Sequence, residues 1–341
     1  MKRVVMWGTG GNAEAALQQL PSLYIEIVAF IDSDPLRQGI LFHNKVVMHP
    51  QELLTLDFNI LAIASNYHKE IKKTALSYGI NESKIFLASN LIHFLQFHEK
   101  LSLEKLIDLA RIQWWFHGFE IVPGVWTPGA HPYKGNLLDF PEVKDLRGKR
   151  ALDIGAWDGP YTLEMTRRGA EVTGFDIQRS DRTGFDLMRS LNRINAKHIC
   201  ANVYDLNPED HGTFDLVTFF GVYYHLRNPL AAFANINGVL PKGGLMIVEG
   251  ALLEGSPRID SFWKENKHIL DHLANVPLAY FVEHEYEGEW SNWWVPNACC
   301  FQQWITSCGF EILSFRIWYN DTRSLCIARK VRDMGIEHCI Q

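Results

Sequence analysis

The 341-residue sequence predicts an α/β fold built from two open-sheet units of the nucleotide-binding type. Two stretches carry this reading. In each, an apolar run enters a glycine-rich turn, a helical pattern follows, and a second apolar run ends in a carboxylate. The first is Arg3-Val4-Val5-Met6-Trp7 with Gly8-Thr9-Gly10-Gly11-Asn12-Ala13 and then Asp32. The second is Ala151-Leu152-Asp153-Ile154-Gly155-Ala156-Trp157-Asp158-Gly159 with Asp176, 21 residues after Gly155. A third observation is bulk: 47% hydrophobic and 21% charged residues can build two packed cores in a chain of this length.

Taken in order, the first unit spans residues 1–90. After the strand ending at Trp7 come a helix through Leu20, a strand Ile25–Ile31 closed by Asp32, a strand at 59–64, a helix at 67–78 and a strand at 84–87. Gly8, Gly10, Gly11 and Asp32 fit a site for a nucleotide phosphate or ribose. Residues 91–113 read as a helical bridge, since Leu91, Phe94 and Leu95, then Leu103, Leu106, Ile107 and Ala110 recur at helical spacing. The second unit covers 114–341. Further strands are expected at 197–203, 214–220 and 245–249, with a hairpin from 310–315 to 324–328. The aromatic and charged stretch 250–298 reads as an irregular lid or cap.

Net charge is −6. Residues 1–98 hold 8 Lys/Arg and 8 Asp/Glu, leaving 25 and 31 of the chain's 33 and 39 for residues 99–341. That acidic balance makes a polyanion an unexpected partner. The six cysteines include no C-x-x-C pair, which points to reduced thiols. Neither a signal peptide nor a membrane-spanning stretch is recognisable, so a cytoplasmic location is expected. His117, His131, His284 and Glu285 lack metal-ligand spacing, and no metal is expected. Oligomeric state is not legible.

Two resemblances follow from these residues. Ile31-Asp32-Ser33-Asp34, Gly39, Val46-Val47 and Pro50-Gln51-Glu52-Leu53 resemble the small Rossmann-like domain that precedes sugar acyltransferases. That resemblance implies a nucleotide or nucleotide-sugar site. The second unit resembles class I S-adenosylmethionine (SAM) methyltransferases. Within them it is similar to the branch of tRNA wobble-uridine carboxymethyl- and methoxy-forming enzymes. The matching pieces are Trp115-Phe116-His117, Gly124-Val125-Trp126-Thr127-Pro128-Gly129, the 153–159 loop, Asn202-Val203-Tyr204-Asp205-Leu206, Phe220-Gly221-Val222-Tyr223-Tyr224-His225-Leu226-Arg227-Asn228-Pro229-Leu230 and Asn292-Trp293-Trp294-Val295-Pro296-Asn297.

The resemblance implies SAM as cofactor and assigns roles by position. Gly155 and Gly159 let the backbone approach a ligand, with Gly155 at the methionine part. Asp153 or Asp158 binds its ammonium, Asp176 takes the ribose, Asn202 and Val203 frame the adenine, and Ile177 covers a ring face. Trp157 and Phe220 are further cofactor candidates. His225, after the fourth strand, is the expected base, with Tyr224 near the sulfonium end and Glu249 as the second candidate base. Trp115, His117, Trp126, Arg227, Trp293, Trp294 and Arg323 are the candidate acceptor residues.

The carboxymethyl-forming enzymes recognise a carboxylated SAM through lysines ahead of the glycine loop. Here the equivalent stretch, 124–136, carries Lys134 alone in a different pattern, with Arg227 and Arg323 as remaining anion partners. Ordinary SAM is therefore expected. The expected function is methyl transfer to a small polar acceptor, a sugar or nucleotide-linked sugar. The alternative is a tRNA wobble-uridine modifying enzyme. A second alternative, an inactive nucleotide-sensing scaffold, conflicts with the intact Gly155, Gly159 and Asp176.

Overall fold

A computed structural model describes residues 1–254, 265–286, 289–318 and 322–334. It divides into two compact units. One is Met1–Tyr133 with Asp181–Asn192; the other is Lys134–Ser180 with Arg193–Gln341. The limits expected from sequence, at 90 and 113, are not limits of packing. The helices Ala88–Leu95 and Leu103–Arg111 bury Leu91, Phe94, Leu95, Leu106 and Leu109 within the first unit. Among the described residues, no helix is long and apolar enough to cross a membrane.

In the first unit, β1 (Lys2–Trp7), β2 (Ile25–Ile31), β3 (Leu41–Phe42), β4 (Lys45–Met48), β5 (Ile60–Ile63) and β6 (Ile85–Leu87) form one sheet. Its order is β3-β4-β2-β1-β5-β6. All pairings are parallel except that of β3 with β4. Val4, Val5, Met6 and Trp7 are all buried, as the unbroken apolar run of a sheet covered on both faces demands. Two small pairings follow: β7 (His117–Gly118) with β10 (His131–Pro132), and β8 (Glu120–Val122) with β9 (Val125–Trp126).

The second unit holds β11 (Arg150–Ile154), β12 (Glu171–Asp176), β13 (Lys197–Cys200), β14 (Leu216–Phe220) and β15 (Leu245–Ala251). It continues with β16 (Ala279–Tyr286), β17 (Glu289–Pro296), β18 (Phe310–Trp318) and β19 (Arg323–Lys330). Seven strands form one sheet in the order β13-β12-β11-β14-β15-β19-β18. The first five run parallel; β19 is antiparallel to β15, and β18 to β19. Chain order reverses at β11, which makes the carboxyl ends of β11 and β14 the switch point where open α/β sheets bind ligands. The core joins Leu152, Phe175, Phe219 and Val248 of the sheet to Phe233 and Ile236 of the helix Pro229–Val239 and to Phe301 and Ile305 of the helix Ala298–Ser307. Asn228 starts the first of these helices by accepting from Ala231 N–H, with Pro229 at its first position.

The expectation of an irregular lid at 250–298 is corrected. β15 runs through Ala251, residues Lys267–His272 are helical, and β16 and β17 pair as an antiparallel hairpin with Phe281 opposite Trp294. Aromatic side chains favour strands; interspersed charges hide that signal in this stretch. Its parts at 255–264 and 287–288 lie outside the described residues.

Candidate functional site

The loop 155–159 leaves the carboxyl end of β11 with left-handed backbone at Gly155 (φ 79°), Trp157 (φ 44°) and Gly159 (φ 82°). A tryptophan in that region costs about 1–3 kcal/mol and persists only where its surroundings fix it. Here its amide N–H donates to Asp176 Oδ2 at 3.0 Å, tying the loop to the end of β12. Gly155 has a steric duty of its own. A Cβ at this position would lie 2.5 Å from Val222 Cγ2, so protein packing by itself requires the glycine.

Asp176 is buried at the carboxyl end of β12. Its Oδ1 accepts from Gln178 N–H at 2.8 Å and its Oδ2 from Trp157. Burial pushes its pKa up; the Gln178 and Trp157 amides and His198 pull against this, and Asp158 adds to the rise. A carboxylate offers about four lone-pair sites. One is used on each oxygen, leaving two acceptor edges suited to a vicinal diol. Ile177, 66% exposed, offers an apolar side chain one residue further on. This donor and acceptor set fits the adenosyl part of SAM. Asp153 is differently placed. Its Oδ2 accepts from Thr162 Oγ1 at 2.7 Å and its Oδ1 from Thr218 Oγ1 at 2.8 Å, so it braces the loop between helix and strand. Asp158 is fully buried, and Val203 lies in the hydrophobic core. Asn202 Oδ1 accepts from Tyr204 N–H, and the Phe220 ring meets Tyr161 edge-on at 4.8 Å.

The loop after β14 carries the acceptor-side candidates. Gly221 (φ 71°) donates its N–H to Glu249 O. Tyr223 is wholly buried, its hydroxyl donating to Ala251 O, and burial raises its pKa well above normal. Gly250 is glycine because a Cβ would fall 2.3 Å from that ring. Tyr224 Oη accepts from Arg323 Nη1 at 3.3 Å. Arg323 also donates from Nε and Nη2 to the two oxygens of Glu249, both at 2.7 Å. Burial opposes the guanidinium charge, but Tyr224 and Glu249 hold its pKa well above its ordinary value. Lys134 Nζ lies 4.4 Å from the Trp318 ring centre; burial lowers its pKa, Glu249 raises it and Arg323 lowers it again. The forked pair occupies the carboxylate edges of Glu249 that a proton acceptor would use.

The β16–β17 hairpin grips the same loop. Ser291 Oγ lies 2.9 Å and Ser291 O 3.3 Å from His225 Nδ1. Trp294 Nε1 donates to Arg227 O at 3.0 Å, and the Arg227 guanidinium sits 4.2 Å over the Trp293 ring. Tyr224, His225, Arg227, Glu249, Trp293, Trp294 and Arg323 are thus gathered in the second unit. Trp115, His117 and Trp126 belong to the first. Trp115 is corrected from an acceptor wall to a core residue. It is buried, donates to Leu109 O, and covers Gly184 so closely that a Cβ there would lie 2.6 Å from its ring. His117 packs edge-on to Phe116, and the Trp126 carbonyl accepts from or faces His93 Nε2 at 2.6 Å.

In the first unit Asp32 is turned inward. Its Oδ2 accepts from Thr9 N–H at 2.9 Å and Thr9 Oγ1 at 2.6 Å, while Arg37 Nη1 donates to Thr9 O at 2.8 Å. Gly8 (φ 116°) is demanded by Ala64 O, 2.6 Å from where its Cβ would stand. Around Gly11 no neighbour comes within 4 Å of such a Cβ, and at Gly10 Arg37 Nη1 lies 3.8 Å away. Sequence reasoning missed Ser291, Val222, Thr162 and Thr218. Only Thr218, a lone hydroxyl in the apolar run Leu-Val-Thr-Phe-Phe, carries a visible signal.

The strand order of the seven-stranded sheet defines a Rossmann-like methyltransferase fold. Residues 130–313 match a family model described as a methyltransferase domain, and residues 1–86 match one described as C2185-like, N-terminal. The chain belongs to the methyltransferase-domain family. Its relatives include the tRNA U34 carboxymethyltransferase of Pseudomonas fluorescens (strain Pf0-1), 31% identical over 168 residues, which cover 49% of this chain and 46% of the relative. The enzyme of the same name from Pseudomonas aeruginosa (strain LESB58) is 29% identical over 218 residues, covering 63% and 60%. The chain spans about half the length of these curated relatives. Among solved structures, the Burkholderia thailandensis 1,6-didemethyltoxoflavin-N1-methyltransferase with S-adenosylhomocysteine is similar, with a TM-score of 0.41 and 14% identity over 55% of this chain and 72% of that one.

Proposed function

We propose that the second unit binds SAM at the switch point after β11, with Asp176 on the ribose hydroxyls and Ile177 against the adenine. SAM supplies a methyl group on a positively charged sulfur. The protein's tasks are to align an acceptor oxygen and to take its proton. His225 is the proton acceptor, and Tyr224, held by Arg323 and Glu249, lines the transfer site. The observation that carries this reading is the contact between Val222 and Gly155, which seats the loop bearing Tyr224 and His225 directly on the glycine loop.

Two acceptors are supported by different observations. The names of the relatives support a wobble-position uridine of tRNA, and that is the leading reading. A small polar acceptor, a sugar or nucleotide-linked sugar, is supported by the net charge of −6, which disfavours a polyanion. In that reading Gly8, Gly10, Gly11 and Asp32 of the first unit serve the nucleotide. Incubating the full chain with SAM and either tRNA lacking the U34 modification or a panel of nucleotide sugars, followed by mass spectrometry, separates them. Methylated nucleoside at U34 supports the first reading; methylated sugar with unchanged tRNA overturns it.

A further inference from the structure

We infer that Ser291 is a positioning residue for His225, holding the imidazole with its proton on Nδ1 and so making Nε2 the proton-accepting nitrogen. The inference rests on the reading of His225 as base, and deepens it. Two oxygens of a single residue face Nδ1: the Ser291 carbonyl at 3.3 Å and its hydroxyl at 2.9 Å. A backbone carbonyl can only accept. If Nδ1 carried a lone pair, that carbonyl would face it with no hydrogen between them. If Nδ1 carries the proton, it donates to both oxygens. A neutral imidazole with Nδ1–H bears its lone pair on Nε2.

The surroundings make the hold directional. Ser291 lies in β17, which also fixes the loop two residues on, through Trp294 Nε1 to Arg227 O and through Trp293 under the Arg227 guanidinium. The Tyr224 ring centre lies 4.3 Å from that of His225. Among the described residues, Arg227 lies on the same turn, and the Arg323–Glu249 pair lies against Tyr224. The hairpin therefore sets the orientation and the tautomer of the ring together, and Ser291 is the residue through which it does so.

The test needs no acceptor in its first arm. Long-range proton–nitrogen spectra of the full chain labelled with nitrogen-15 histidine, at a pH where His225 is neutral, report which ring nitrogen bears the proton. The His225 signals are those missing in His225→Gln. An Nδ1–H signature is expected; an Nε2–H signature overturns the inference. In the second arm, Ser291→Ala is expected to slow methyl transfer to bulk tRNA, used as probe, by roughly tenfold, a fraction of the loss expected from removing the base itself. SAM affinity should stay unchanged, and Ser291→Thr should restore the rate. Wild-type turnover in Ser291→Ala, with turnover lost in His225→Gln, overturns the positioning role of the hydroxyl; the carbonyl, which this variant keeps, is judged by the spectrum. If His225→Gln itself keeps turnover, the base reading falls, and the spectrum alone decides the tautomer.

Discussion

Arg323 grips Glu249 with two parallel hydrogen bonds, Nε to Oε1 and Nη2 to Oε2, each 2.7 Å long. The pair ties β19 to the carboxyl end of β15, and its third prong reaches the Tyr224 hydroxyl. Only 5% of the Glu249 side chain and 24% of that of Arg323 are exposed. Removing one member of such a pair leaves an uncompensated charge and costs roughly 3–5 kcal/mol. The exposure of Arg323 argues for the lower end. Glu249→Ala should lower the urea midpoint accordingly, while Glu249→Leu with Arg323→Met should recover most of the stability and none of the turnover. A wild-type midpoint in Glu249→Ala would show the pair to be energetically idle.

Asp176→Ala should weaken SAM binding in calorimetry, because two charge-assisted hydrogen bonds are lost at about 1.5–3 kcal/mol each before compensation. The pH dependence has a definite sign. The folded-state pKa of Asp176 is raised, mainly by burial. Its contribution to stability is therefore fully present below the unfolded-state pKa and lost as pH rises through the folded value. SAM requires the ionised form, so its affinity should fall on acidification through that range. Asp176→Asn should flatten the dependence; an equally steep fall in that variant assigns it to another group.

Replacing Gly155 by alanine introduces two separate costs, a left-handed φ of 79° and a Cβ 2.5 Å from Val222. Val222→Ala removes the second cost only. The double variant should therefore be more stable than Gly155→Ala alone and less stable than Val222→Ala, with a coupling of about 0.5–3 kcal/mol in a denaturation cycle. Strict additivity would place the two loops out of contact.

His225→Ala should reduce turnover by about 10²–10⁴-fold at a hydroxyl acceptor, the range for loss of a general base. SAM affinity should change little, as measured by calorimetry on the same samples. Wild-type turnover leaves alignment alone to account for the rate.

Glu82 accepts from both Arg182 and Lys72, at 2.8 and 2.7 Å, and these bonds pull its pKa from 4.5 to about 2. A lowered carboxylate stabilises the fold above the unfolded pKa, and that stability is lost as pH falls from 4.5 toward 2. With 38% of Glu82 and 57% of Arg182 exposed, the effect is at most about 1 kcal/mol. Glu82→Gln should lower the melting temperature slightly at neutral pH and converge with the wild type at the acid end. A constant gap across the range would place its origin in packing.

Both sheets were legible because each begins with an apolar run, a glycine turn and an acid, and these local signals coincide with the reversal of strand order. Asp176 could be found by its distance from Gly155. Ser291 could not, because its partner lies 66 residues away and nothing in Glu-Trp-Ser-Asn-Trp-Trp distinguishes a serine facing an imidazole from one facing water. The same holds for Glu249: its strand-end position resembles that of a base, and only the register of β19 reveals the arginine that occupies it. Trp115 misleads for the opposite reason. Its aromatic character fits an acceptor wall equally well, and its fate is set by Gly184, 69 positions further on.

The assignment of residues 181–192 to the first unit has a consequence for how such a protein can be cut or rebuilt. The sequence of the second unit is interrupted by a segment of the first. The peptide leaves the sheet at the carboxylate expected to hold the ribose, joins the first unit five residues later, contributes Arg182 to Glu82 and Gly184 to Trp115, and only then returns for β13. A clone starting at residue 99 would keep Trp115 and Gly184 but orphan Arg182. Exchanging the N-terminal module between homologues would likewise demand a matched graft of these twelve residues, since one splice point cannot transplant an element whose chain is interleaved with its neighbour's.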